Sequence, residues 1–182
     1  MIKIILVSCL ILLFTSQYLA TRLPLELEQI YKFHKKVRKG LLNCKIPGQP
    51  PAKYLEKLKW SKLLARKAQK QADKCKYDSN DPNDFIIGEY ETIGQNIAEY
   101  PTIERALKEW FDEHNNYNFE KNQCNGECKN YKQMVWNTTS EIGCGFKKCD
   151  KNYILVCNYA PGDSDGRPYE AKPRSACELP KL

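Results

Sequence analysis

The chain has 182 residues, 42% hydrophobic and 28% charged, and its 29 Lys and Arg against 22 Asp and Glu give a formal net charge of +7. One domain with a real core is within reach at this length. After the N-terminus no apolar run approaches membrane length, so a spanning protein is not expected. The positive charge spreads over Lys35, Lys36, Arg38, Lys39 and Lys53 to Lys76. It reads as a solvated helix surface, the alternative being weak attraction for anionic membranes or glycans, and no motif points to nucleic acid.

Lys3, the apolar run Ile4 to Phe14 and the small or polar residues up to Ala20 have the layout of a secretory signal peptide. The alternative is a membrane anchor, but the run is too short to cross about 30 Å of hydrocarbon. The expectation is therefore a leader over residues 1–20, a single domain over 21–182 with a short tethered tail, and an extracellular product. Cleavage near Ala20 also removes Cys9. An even set remains: Cys44, Cys75, Cys124 and Cys128, then Cys144, Cys149, Cys157 and Cys177. An exported chain with that set implies disulfides. Zinc is the rival for Cys124-x3-Cys128 and Cys144-x4-Cys149, and spacing alone leaves the pairing open.

In chain order, apolar residues at Leu27, Ile30, Tyr31, Phe33, Val37 and Leu41 predict a helix from Leu25 to Gly40. Pro47, Gly48, Pro50 and Pro51 make a loop. A second helix is predicted from Ala52 to Cys75 and a short third one over Gly94 to Ala98. The next, Thr102 to Asn115, presents Ile103, Ala106, Leu107, Trp110 and Phe111. A loop rich in Asn and Gly spans Asn115 to Asn130. Strands are predicted at Tyr131–Trp136, Ile142–Phe146 and Tyr153–Tyr159, and the tail after Pro161 is irregular. The fold class is α+β, with helices flanking a small antiparallel sheet.

Two segments are distinctive. Cys124 through Trp136 reads CNGECKNYKQMVW, and Tyr153 through Gly162 reads YILVCNYAPG. Ile142-Gly143-Cys144-Gly145 lies between them, Arg167-Pro168-Tyr169 follows, and Gly94-Gln95-Asn96-Ile97 and His34-Lys35-Lys36-Val37-Arg38 precede. In that order these elements resemble the CAP superfamily (SCP/TAPS) of cysteine-rich secretory, venom allergen-like and pathogenesis-related proteins, and within it the helminth venom allergen-like group. The resemblance implies a three-layer α-β-α sandwich. It also implies the pairs Cys75–Cys144, Cys124–Cys128 and Cys149–Cys157, which leave Cys44 with Cys177.

The family's central cleft carries two histidines and two acidic or amide residues, and it binds a divalent metal in some members. The resemblance maps it onto His34, Gln95, Glu113 and Asn130. Asn130 stands where a histidine is usual, so the cleft is read as vestigial, without metal, cofactor or catalysis. His34 reads equally well as a hydrogen-bonded structural residue, and His114, next to Glu113, points elsewhere if both are helical.

The functional expectation is therefore lipid binding. A fatty acid would lie in a channel lined by Leu27, Ile30, Tyr31 and Val37 on one helix and Ile103, Leu107, Trp110 and Phe111 on another, unless these residues simply pack as core. A sterol would sit on a loop carrying Tyr117 and Phe119 with Tyr131 at its end, unless those rings tuck inward. The alternatives are an immunomodulatory ligand contacting host proteins and, third, a metal-dependent hydrolase, against which Asn130 argues. Asn137-Thr138-Thr139 is a glycosylation sequon.

Overall fold

The computed structural model describes residues 23–77, 90 and 92–177; the expected leader lies outside them. Helix α1 (Leu25–Leu42) buries Ile30, His34, Val37, Arg38 and Leu41, an i, i+4, i+7 stripe on one face. Glu26 and Glu28 in its first turn complement the helix dipole. Turns over residues 43–49 follow, and from Pro50 the chain runs extended to the two-residue strand β1 (Lys59–Trp60).

The helix expected from Ala52 is confined to α2 (Lys62–Asp73), where the Ser61 hydroxyl caps the Leu64 amide. Residues 52–58 instead find tertiary partners for their backbone: Lys53 N donates to Glu170 O and Glu56 N to Asn137 O. Two prolines immediately upstream already favour extended chain, and these long-range bonds complete it.

Two further expectations are corrected. Gly94–Tyr100 is a strand, β2, rather than a short helix. Residues Lys129–Met134 form a helix, α4, where a strand beginning at Tyr131 was expected. Between them stand α3 (Ile103–Asp112), capped by Thr102, a 3-10 turn (Glu113–Asn115), and the small ribbon β3 (Tyr117–Asn118) and β4 (Gln123–Cys124). The hairpin β5 (Glu141–Cys149) and β6 (Asn152–Ala160) follows.

The main sheet has the order β1-β5-β6-β2. β5, β6 and β2 pair antiparallel, but β1 joins β5 in parallel, so the sheet is mixed. Alternation along β6 separates the layers. Ile154 and Val156 pack with Ala68 and Ala72 of α2, and Leu155, Cys157 and Tyr159 belong to the larger core shared with α1, α3 and α4. Glycines set the approach of α2: a Cβ at Gly143 or Gly145 would lie inside the backbone of α2 at Ala65 or Gln69.

Cys44 pairs with Cys177 and Cys124 with Cys128. The other two pairs are exchanged relative to expectation: Cys75 joins Cys149, and Cys144 joins Cys157. The register explains the exchange. Cys144 and Cys157 are direct cross-strand partners with Cα atoms 4.1 Å apart, within bridging reach. Cys75, two residues past α2, lies beside the end of β5, its Cα 5.7 Å from that of Cys149.

Candidate functional site

The side chains assigned to one cleft separate onto different faces. His34 is fully buried. Its Nδ1 lies 2.8 Å from the Ile30 carbonyl, one turn back on α1, and its Nε2 lies 2.8 Å from the Tyr159 hydroxyl. A carbonyl can only accept, so Nδ1 carries the proton and Nε2 accepts from Tyr159. The Tyr159 oxygen in turn accepts from Asn96 Nδ2 at 3.1 Å, and the same amide donates to the Asn130 carbonyl at 3.1 Å. Burial, the main cause, holds the His34 pKa down to about 4, with Arg38 nearby acting in the same direction. A neutral imidazole with both nitrogens engaged has no lone pair for a metal. His34 is a packing and hydrogen-bonding residue.

Gln95 also departs from the cleft. As part of β2 it points opposite to its neighbour Asn96, and Gln95 Nε2 donates to Asn158 Oδ1 at 2.9 Å. Asn158 Nδ2 donates to Leu64 O, so this pair faces α2. Asn96 is the β2 residue on the side of His34 and Asn130. A helical reading of Gly94–Ala98 hid that parity.

Glu113 and Asn130 do meet. The 3-10 turn after α3 brings the Glu113 carboxylate to the start of α4, where it accepts from Asn130 Nδ2 at 2.6 Å and from the Tyr131 amide at 3.0 Å. Burial raises the Glu113 pKa against the lowering effect of these bonds. The pair borders an open cleft of about 680 Å³ that also exposes Tyr77, Glu99, Tyr100 and Glu109. His114 packs its ring 4.6 Å from that of Phe111 and bonds the Phe111 carbonyl through Nδ1, and it does not line the cleft. A resident zinc does not fit these donors: the carboxylate is occupied by two donors, its partner is an amide, and no imidazole faces it. Among the described residues no group of three His, Cys, Asp or Glu side chains is placed to hold a metal.

Arg38 is a buried cation that the functional reading of the sequence did not weigh. Its guanidinium donates to the carbonyls of Met134, Trp136, Glu56 and Thr139 at 2.7–3.3 Å. Four carbonyl dipoles and the nearby Glu56 charge stabilise the cation, and α1 is thereby tied to the end of α4, the chain after it and the extended 52–58 segment. Its spacing in His34-x-x-x-Arg38 was the available signal: i and i+4 put both on one face.

The aromatic loop is tucked inward rather than exposed. Tyr117 and Tyr131 are buried. Tyr117 donates to Asn122 Oδ1, and Phe119 stacks on Tyr169 with centroids 4.8 Å apart, covered by Arg167. The expected channel residues also divide. Ile30, Val37, Leu107 and Trp110 are core, and Leu27, Tyr31, Ile103 and Phe111 pack part-buried against it. Val37 and Phe111, with Phe33 and Ile46, border a groove of about 340 Å³ where α1 meets the end of α3.

Among the described residues, one helix on one face of a mixed sheet, three on the other, and four disulfides define a disulfide-stapled α+β sandwich. The chain belongs to the CAP, or Cysteine-rich secretory protein, family, whose model matches residues 31–159. It is similar to Venom allergen 5 of Vespa velutina, 40% identical over 80% of this chain and 78% of that one. It is also similar to the solved structure of Schistosoma mansoni venom allergen-like protein 4, at 73% identity and TM-score 0.84 over 85% of this chain and all of the other. A structure of NaASP2 with Zn2+ shares the fold at 22% identity and TM-score 0.66, over 84% of this chain and 89% of that one. Disulfides persist in oxidising compartments, and with the venom allergen relatives they point to export. Among the described residues no helix is long and apolar enough to cross a membrane.

Proposed function

We propose that this protein is a secreted, non-enzymatic carrier of fatty acids, its leader being residues 1–20. The observation that carries this reading is the groove at Phe33, Val37, Ile46 and Phe111, bordered by Lys36, Lys39 and Lys45. Apolar walls suit an acyl chain, and ammonium groups at the rim suit its carboxylate. The sterol half of the expectation has less support, because the rings that would form an apolar patch are engaged within the fold. Catalysis has none in the Glu113–Asn130 cleft, where no titrating imidazole accompanies the carboxylate. On the secretory route the half-buried Asn137 would meet the glycosylation machinery.

The test is lipid extraction from purified protein followed by mass spectrometry, together with palmitate and cholesterol binding to the wild type and to F33S/F111S. The expected result is copurifying fatty acid and palmitate binding that the double variant loses. Palmitate binding untouched by the substitutions would remove this groove from the reading. Binding of neither lipid would favour the protein-ligand alternative.

A further inference from the structure

We propose that the lysine-bordered face of α1 docks the protein onto the surface of an anionic phospholipid bilayer. Lys32, Lys35, Lys36 and Lys39 are exposed and follow the i, i+3, i+4, i+7 spacing that lines up one helix face. Opposite them the extended segment supplies the exposed Lys57. Between the two lies a groove of about 620 Å³ with Leu42, Leu55 and Leu58 in its walls. This site does not depend on the fatty-acid reading, because that groove lies on the neighbouring flank of α1 and shares only Lys36 and Lys39 with this one.

The charges are poised for an external anion. Lys32 pairs with Glu28 at 2.8 Å, and the Lys35 ammonium sits 5.1 Å over the Tyr31 ring. Among the described residues Lys36, Lys39 and Lys57 have no carboxylate partner, and Glu56 is the one acidic residue lining the groove. Three ion pairs elsewhere, Lys53–Glu170, Arg105–Glu109 and Lys108–Asp112, lie outside this face. Tyr54, next to Leu55, is 59% exposed, and an amphipathic ring at the edge of an apolar floor suits the headgroup level.

A bilayer fits this surface better than an acidic protein does. Four flexible stems on one stripe can each find a headgroup in a fluid array while their methylenes cover apolar surface. A folded partner would need its acceptors in fixed register. Each lysine near an anionic surface strengthens binding by about fivefold.

The test is cosedimentation of the full purified chain with phosphatidylcholine vesicles, with and without phosphatidylserine. Binding is expected only to the serine-containing vesicles and should fall with salt. K32Q/K35Q/K57Q, which leaves the fatty-acid groove untouched, should lose about a hundredfold in vesicle affinity and keep palmitate binding. K62Q/K147Q/K151Q removes the same charge from other elements and should lose far less. The proposal is overturned if the first variant binds like wild type, if the control falls as far, or if neutral vesicles bind equally. It is also overturned if no vesicle binds, or if soluble glycerophosphoserine displaces the protein as well as competing vesicles do, which would assign the groove to a free headgroup.

Discussion

The Tyr159 hydroxyl donates to His34 Nε2 across 2.8 Å of buried space, joining the central strand β6 to α1. Burial holds this histidine neutral, and the bond uses the lone pair of Nε2. The folded pKa of about 4 lies below the ordinary 6.5, so between those values the unfolded chain binds the extra proton. Stability should therefore fall as pH drops from 6.5 toward 4, by about 1.4 kcal/mol per unit from this group. Glu113, with its raised pKa, acts in the opposite sense. Comparing wild type with H34Q by urea denaturation across this range isolates the histidine: the variant should show a shallower acid loss. An identical profile would mean that His34 is not held neutral.

Removing Arg38 should be costly. In R38M four carbonyls, three of them buried, lose their donor, and a destabilisation of about 3 kcal/mol or more is expected from denaturant melts. R38K keeps the charge but cannot reproduce a planar fork reaching four acceptors, so it should rescue the loss only in part. Full rescue by lysine would show that charge alone matters there.

G145A probes the closest contact between α2 and the sheet. The added Cβ meets backbone at Gln69, which cannot swing aside as a flexible side chain would. A loss of about 1–3 kcal/mol is expected, read as a lowered thermal midpoint. An unchanged midpoint would mean that α2 sits farther from β5.

Disulfide mapping by non-reducing peptide mass spectrometry should recover Cys75 with Cys149 and Cys144 with Cys157. Stability should follow loop size. Cys124–Cys128 spans a sequence separation of 4 and Cys75–Cys149 one of 74. Chain entropy then makes loss of the longer bridge about 2.5 kcal/mol the more destabilising, comparing C124S/C128S with C75S/C149S. The reverse order would refute the loop-size account.

Much of the fold was legible in the sequence. The periodicity at Ile30, Val37 and Leu41 marked α1, and Thr102 with the face Ala106, Leu107 and Trp110 marked α3. Short runs rich in aromatic and β-branched residues marked β5 and β6, and the motif order pointed to the family. Each of these signals is local: it needs only neighbours on the same helix or strand. Errors fell where a segment's backbone partners are distant. Residues 52–58 read as helix by apolar content but bond to Glu170 and Asn137, and Gly94–Ala98 read as helix but belongs to β2, which pairs along β6.

The site followed the same division. Glu113 and Asn130 could be placed from the motif, and they meet. Gln95 could not be placed, because whether it or Asn96 faces His34 depends on the parity of a strand that forms only against β6. Nor could motif order choose the partner of Cys144; the β5–β6 register did, by setting it opposite Cys157. By itself the sequence determined which residues form the apolar faces, the composition of the cysteine set and the basic stripe on α1. Only the tertiary structure decided which of those faces close into core and which stay open as grooves, because burial depends on what a distant segment lays against them.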